Sequence, residues 1–435
     1  MTGDQKSLNR VWTVEGNTVR RLKRLFHPRP IKLKFILQLL SWEPKQFLRH
    51  YYHFVCEFIF GVQAFWHGAF SNPVAPSDLT TSPHFTLDHK PVPPIHRLIF
   101  AYANADGWRD DPGFNRYFLR AVMPSLTVEH EEDWNDRVAA TRPTPGDTKE
   151  KAFHFPVLLL ADRSAAFRGK MCGSLTQRTA AEAWDYMRIK NKLMGIHVGG
   201  WWAPIREAMW HFTGAEEAVV DLNRHLRQQE ESPYLNSDIP EVVGVDASAS
   251  KTVLPPVDAE SRFQMVLHPP EKIVISYISR QRSRHRKLVE KDHLGLIEAL
   301  MELVKEKNGE RQAIMDTLDG GNPRDGLTRN SDEGYIPPEW EFNELYAEEM
   351  SKDDQIRAVS RTTVRMCLCV ACNGADAIFQ FLVGVHGNGL SHLIFMKPNR
   401  YSTVIEIFYP EGFAHDYQWT TRALGMTHIA IWNDK

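Results

Sequence analysis

The amino-acid sequence predicts an α/β chain of two domains built on parallel sheets, and three observations carry that prediction. Its 435 residues exceed what one hydrophobic core ordinarily organises. Short apolar runs alternate with amphipathic stretches, the pattern of βαβ units. Near the end, Phe381-Leu-Val-Gly-Val-His386-Gly387-Asn388-Gly389-Leu390, followed by Ser402-Thr-Val-Ile-Glu406-Ile, reads as buried strand, tight glycine turn, helix start and second buried strand. Gly387 and Gly389 allow positive φ and a close backbone approach to a ligand. A helix opening there aims unsatisfied N–H groups and its positive dipole end into the turn, which is how phosphate groups are held. Glu406 falls at the end of the second strand, at the rim where open parallel sheets bind ligands. The same residues also fit a plain strand-to-helix turn with a solvated acid at a strand end.

Composition narrows the class. Hydrophobic residues at 43% and charged residues at 24% give an ordinary globular balance, and a net charge of −2 provides no global field to recruit nucleic acid or anionic membrane. Twelve Trp and 26 Pro suit either a carbohydrate-facing surface or a large irregular core, and the core reading is the expected one. Five cysteines, odd in number and unevenly spaced, make no disulfide framework. No run reaches the ~18 apolar residues of a membrane span, and Met1–Asn9 lacks a signal-peptide pattern. The expectation is a soluble chain without a membrane anchor.

Residues 1–41 read as a basic arm carrying Arg20-Arg-Leu-Lys-Arg24, and residues 42–229 as the first domain. Trp42–Phe70 is apolar and aromatic; on a helix His53 and Glu57 share one face. Such a pair can act as a general base with its orienting group, or simply satisfy itself in a half-buried helix. Asp106 follows the strand within Pro91–Ala103, a position that suits either function or a turn. Asn115–Met123 reads as helix and Pro156–Ala161 as strand, with Asp162-Arg163-Ser164 at its exit. Thr179–Lys192 and Trp202–Gln229 read as helices, the second with Trp202, Ile205, Met209, Trp210 and Phe212 as core positions. Residues 230–270, rich in Ser, Pro, Asp and Ala, are the linker.

The second domain, 271–435, opens on the strand Ile273–Ile278 and runs into Arg280, Arg282, Arg284, Arg286 and Lys287. Five cations at a strand's carboxyl end make an anion funnel, with Arg280 placed to fork onto a diphosphate; the alternative is a solvated basic turn. His293–Lys307 is an amphipathic helix, Asn308–Asn330 a loop, and Ser351 caps a further helix to Arg361. Asp416–Leu424 is the last helix and His428–Trp432 the last strand.

His386-Gly-Asn-Gly-Leu390 with Val404-Ile-Glu406-Ile and Tyr409-Pro410 resembles the donor-site signature of glycosyltransferase family 61, in a fungal-type form. Tyr52-His53-Phe54 with Glu57, and Tyr277-Ile-Ser-Arg280 with its Arg-rich tail, fit the same family in the same order. The resemblance spans about Trp42 to Asn433. It implies a GT-B architecture: two Rossmann-like domains facing across a cleft, the donor nucleotide in the C-terminal one. It further implies inverting transfer of xylose or N-acetylglucosamine from a UDP-sugar to a hydroxyl of a glycan or glycoprotein. The resemblance also implies that no cofactor is required and that the place of action is the Golgi or endoplasmic reticulum lumen, and members of the family often begin with a membrane anchor and stem. On this reading Arg280, Arg284, His386 and the Gly387-Asn388-Gly389 turn hold the diphosphate, and Glu406 the ribose hydroxyls. Glu57 or His53 is the general base, with Asp106 behind them. No Asp-x-Asp pair occurs, which argues against a metal-dependent GT-A enzyme, and no metal ligands are assigned.

One segment departs from the pattern. Arg365–Gln380 separates motifs that are nearly adjacent in the family, and its Cys367-x-Cys369-x-x-Cys372 lacks a nearby fourth metal ligand. A retained intron translated in frame accounts for its composition and position. If the segment disables the site, the chain is a pseudo-glycosyltransferase or a glycan-binding protein. A dinucleotide oxidoreductase is the remaining alternative, against which stands the lack of G-x-G-x-x-G near the first strand.

Overall fold

The strands β1 (Leu37–Ser41), β2 (Arg97–Phe100), β3 (Thr127–Glu129) and β4 (Val157–Ala161) form one sheet in the order β3-β2-β1-β4. Every neighbouring pair in it is parallel. This computed structural model describes residues 37–41, 45–70, 94–142, 146, 151–155, 157–161, 177–183, 200–215, 272–283, 286–319, 336–360, 378–396, 402–410 and 412–432. The chain divides into two units: Met1–Phe70 with Pro91–Thr176, and Ser71–Lys90 with Gln177–Lys435. Mixed helix and parallel sheet confirm the α/β class in both.

In the first unit β1 lies at the sheet's centre, although residues 1–41 read as an arm; a five-residue Leu-rich strand is too short to stand out from its basic surroundings. A π-helical segment, Tyr52–Ile59, leads into α1 (Phe60–Phe70), with the Phe60 N–H reaching back five residues to the Val55 carbonyl. Phe54 and Phe58 turn inward onto Phe100 at the end of β2, with ring centroids 6.3 and 6.5 Å apart, and Trp108 stacks on Phe100 at 5.6 Å. Next comes α2 (Phe114–Val122), started by Asp110, whose carboxylate accepts from the N–H groups of Phe114 and Asn115 at 3.1 and 2.8 Å. The following helix, α3 (Glu131–Thr141), presents Trp134 to Ile99 and Ala101.

The second unit starts earlier than the sequence predicts. The helix α4 (Ala203–Thr213), expected in the first domain, packs here. Trp202 and Trp210 are fully buried and donate their indole N–H groups to the Ile394 and Phe395 carbonyls at 3.0 and 2.9 Å. Phe212, expected in the core, is exposed. The helix stops where Gly214 enters the left-handed region, and residues 216–229, the rest of the predicted span, lie outside the described residues. Linker residues 230–270 lie outside the described residues, as do the Arg20–Arg24 run and Asp162–Ser164.

The second sheet contains β5 (Lys272–Ile278), β6 (Glu339–Leu345), β7 (Ile378–Val385), β8 (Thr403–Ile407) and β9 (Thr427–Ile431), in the order β6-β5-β7-β8-β9. All pairs are parallel. The helix α5 (Glu290–Asp319) runs well past the predicted stop at Asn308. Asn308 does not open a loop: its side chain bonds both ways to the main chain of Trp340 on the edge strand β6, at 2.9 and 2.8 Å. The helix α6 (Lys352–Ser360) is capped by Ser351 as expected, the Asp354 N–H donating to its Oγ at 3.1 Å. A 3₁₀ helix, Asn388–Phe395, follows β7, and α7 (Asp416–Ala423) precedes β9.

The last three residues of the atypical segment Arg365–Gln380 are part of the sheet. Ile378, Phe379 and Gln380 belong to β7, paired with Lys272, Ile273 and Val274 of β5. Residues 365–377, with their three cysteines, lie outside the described residues. Among the described residues no helix is long and apolar enough to cross a membrane.

The two indole bonds from α4 give a first prediction. Replacing Trp202 or Trp210 by Phe keeps most apolar contact and orphans a buried carbonyl, which should cost about 1–3 kcal/mol each in urea unfolding. Loss of less than about 0.3 kcal/mol in both variants would mean that the bonds do not hold α4 to the 3₁₀ helix.

Candidate functional site

Both sheets have doubly wound strand orders. Numbered within its own unit, the second reads 2-1-3-4-5, and ligands of such sheets bind outside the carboxyl ends of the strands where the order reverses. That point lies between β5 and β7. The first strand leaves as Ser279-Arg280 and the second as His386-Gly387, so topology alone brings Arg280, His386, Gly387 and Asn388 to one crevice.

The close geometry there depends on missing β-carbons. Gly387 has φ 152° with an extended ψ of −179°, a conformation essentially restricted to glycine. A Cβ at Gly387 would fall on the Arg280 guanidinium. Gly389, expected to supply positive φ, does not have it; its role is steric, since a Cβ there would stand 2.8 Å from Cγ2 of Ile278. The Gly387 carbonyl accepts from the Leu390 N–H at 3.0 Å and the buried Tyr417 hydroxyl at 2.6 Å, which fixes the turn. Asn388 Oδ1 is buried there without a hydrogen-bond partner among the described residues.

Of the five cations expected to form a funnel, Arg280 is the one that the described residues bring against the Gly387 turn. Arg282 turns away to pair with Glu349 and lie over Tyr346, 4.4 Å from the ring centroid. Arg286 and Lys287 are exposed, and Arg284 lies outside the described residues. Burial lowers the Arg280 pKa, with the nearby Arg286 charge acting in the same direction. A half-buried cation that has lost solvent regains the most from an anion.

Glu406 is not at an open rim. It lies within β8, fully buried, and its Oε1 and Oε2 accept from His386 Nδ1 at 2.5 Å and His428 Nε2 at 2.8 Å. Its place is therefore behind His386, and a direct bond to a ribose is not available in this arrangement. The His386 ring stacks on Phe408 at 5.3 Å and meets Tyr417 edge-on at 5.7 Å. With Nδ1–H committed to a carboxylate, Nε2 is the atom left to face a ligand. His428 is the residue sequence reasoning missed. Its only signal is positional: alternation on β9 puts it on the face of Val404 and Glu406, which is legible once β8 and β9 are known to pair.

In the first unit His53 Nδ1 and Glu57 Oε2 are 2.5 Å apart, confirming the shared face. The carboxylate is the more deeply enclosed, with its side chain 7% exposed against 16% for the imidazole. His53 is flanked by Phe47, His50 and Tyr52, with centroids at 5.4, 4.7 and 5.4 Å. Asp106 is not brought to this pair by any described contact. Its side chain is 93% exposed in a turn, 3.7 Å from Arg109, which favours the turn-former reading. Among the described residues no group of three His, Cys, Asp or Glu converges as a metal site.

Two outcomes test the turn. Gly387→Ala should weaken binding of inorganic pyrophosphate at least about tenfold, since the methyl displaces Arg280; calorimetric titration giving an unchanged Kd would remove the turn from the site. The second concerns His392, whose pKa burial pulls from 6.5 to about 4, while its Nε2 lies 2.9 Å from Gln355 Oε1. The unfolded chain takes up that proton first, so stability is full above about pH 6.5 and falls as pH drops towards 4, by up to about 3 kcal/mol. Urea unfolding across that interval should be steeper in pH for the native chain than for His392→Gln.

Compared with known proteins, the chain matches no family model and no curated protein.

Proposed function

We propose that this protein is an inverting glycosyltransferase of the family 61 kind, with GT-B architecture, moving a sugar from a UDP-sugar to a hydroxyl of a glycan or glycoprotein. One observation carries the reading: an arginine held against a glycine-only turn at the topological switch point of a parallel sheet. That combination suits the diphosphate of a nucleotide sugar better than a lone phosphate, because the guanidinium and the turn's N–H groups address adjacent phosphoryl groups.

The reaction follows from these roles. The acceptor oxygen attacks the anomeric carbon, the bond from that carbon to the β-phosphate oxygen breaks, and UDP leaves with the electron pair. Arg280, the Gly387-Asn388 N–H groups and His386 Nε2 stabilise the charge that develops on the diphosphate. The acceptor's proton goes to a base in the first unit. Between the two candidates the geometry favours His53: Glu57 is the deeper partner, and a carboxylate that accepts from Nδ1–H leaves Nε2 as the proton acceptor. Glu57 then orients, as Glu406 does for His386. Xylose and N-acetylglucosamine remain the proposed donors, and the lumen of the secretory pathway the proposed compartment.

The test is calorimetric titration of the purified chain with UDP, without added metal, followed by transfer assays with UDP-xylose and UDP-N-acetylglucosamine. Micromolar UDP binding is expected, lost in Arg280→Gln. His53→Gln should reduce transfer by about 10²–10⁴-fold with UDP binding unchanged; unchanged turnover would reject His53 as base. UDP binding with no transfer to any acceptor would instead favour a glycan-binding protein, and no UDP binding at all would refute the assignment.

A further inference from the structure

We propose that Arg206, on α4, is the centre of a second oxyanion site, separate from the Arg280–Gly387 turn and suited to a carboxylate or phosphate group. Arg206 is 2% exposed, yet among the described residues neither its Nε nor its Nη1 has a hydrogen-bond partner. Long cationic side chains are almost never buried unless paired, and an orphaned charge is among the most unfavourable groups a core can contain.

The neighbouring groups relieve it only in part, through a cation–π contact. Trp202 and Trp210 stand one helical turn to either side, and the guanidinium lies 5.3 Å from the Trp210 ring centroid. The Ile394 and Phe395 carbonyls, which accept the two indole protons, receive no hydrogen bond from Arg206 Nε or Nη1. The acid that acts on Arg206 is Glu207, the next residue along the helix; adjacent helical positions face different ways, and the two make no ion pair. Burial lowers the Arg206 pKa to about 10, which leaves it charged at neutral pH. A buried cation with two nitrogens lacking a hydrogen-bond partner among the described residues matches an external anion. An oxyanion offers acceptor oxygens together with the opposite charge, whereas a neutral ligand would leave the charge unbalanced.

The site is not part of the turn. Ile394 and Phe395 end the 3₁₀ helix whose first residues form that turn, and at a rise of about 2 Å per residue they lie roughly 14 Å farther along its axis. The inference therefore stands whether or not the chain transfers sugars.

Thermal unfolding of the full chain tests it, in chloride, acetate and phosphate at matched ionic strength, for the native protein, Arg206→Met, Arg206→Lys, Arg280→Gln and the Arg206→Met/Arg280→Gln double variant. Acetate or phosphate should raise the native Tm by about 2–4 °C over chloride. The rise should persist in Arg280→Gln, shrink in Arg206→Lys and further in Arg206→Met, and vanish in the double variant. In chloride, Arg206→Met should melt at or above the native Tm, because a buried unpaired charge has been removed. Equal anion responses in native and Arg206→Met proteins would overturn the proposal. So would a native protein indifferent to both anions, or an Arg206→Met protein that is destabilised or fails to fold in chloride, which would reveal an internal partner. The acetate and phosphate arms distinguish a carboxylate ligand from a phosphate one.

Discussion

The second unit's chemistry rests on how closely β5, β7 and the 3₁₀ helix approach one another at the sheet's carboxyl edge. Three glycines set that distance. Gly384 leaves room for Leu390, whose Cδ2 would be 3.0 Å from an added Cβ; Gly389 does the same for Ile278, and Gly387 for the Arg280 guanidinium. The first two are matters of packing, and small adjustments of a flexible side chain can absorb part of a methyl group. The third is different because the space is filled by a charged group, and because φ at Gly387 excludes a side chain independently of the clash. Sterics and conformation thus select glycine at the one position where main chain and cation must meet. The proposed anion site depends on that contact.

A buried carboxylate imposes the next constraint. Glu406 has no solvent, so its stability depends on the two imidazoles that close around it from β7's exit and from β9. Such an arrangement couples strands that do not touch: β7 and β9 lie on opposite sides of β8. Glu57 solves the same problem locally, with a partner four residues away on one helix. The local pair needs only the helix to form, whereas the Glu406 group forms only when three strands are in register. That difference makes the His386 ring orientation a readout of sheet assembly.

It also explains what the sequence made legible. β5, β7 and β8 are continuous apolar runs, as strands buried on both faces must be, and the turn between the last two has residue types whose chemistry is local. The His53–Glu57 face follows from spacing alone. β1 was hidden because its five residues adjoin a basic stretch, and the polar edge strand β6 because only Trp340 and Phe342 mark its inner face. The place of α4 was hidden for another reason: what assigns it to the second unit is two indole bonds to carbonyls almost two hundred positions later, |i−j| of 192 and 185. No window of sequence contains such information. Glu406 was expected at the strand's open end and lies buried within β8 against His428, and a residue's partner across a sheet cannot be read from its own segment.

The 3₁₀ helix shows how these levels combine. Eight residues is long for 3₁₀ geometry, whose hydrogen bonds are poorer than those of an α-helix, so the segment needs tertiary support. It receives support at both ends. Tyr417 bonds the Gly387 carbonyl before its first residue, and Trp202 and Trp210 bond the carbonyls of its last two. In between, His392 is buried and bonded to Gln355, which in turn donates to the Ala347 and Met350 carbonyls at 2.7 and 3.2 Å. A helix fixed at both ends and along its length holds the N–H groups of its first turn in place before any ligand arrives. Binding then costs little reorganisation, which is the condition for an anion turn to discriminate by geometry as well as by charge. The indoles that anchor its far end are the same ones that stand one helical turn to either side of Arg206.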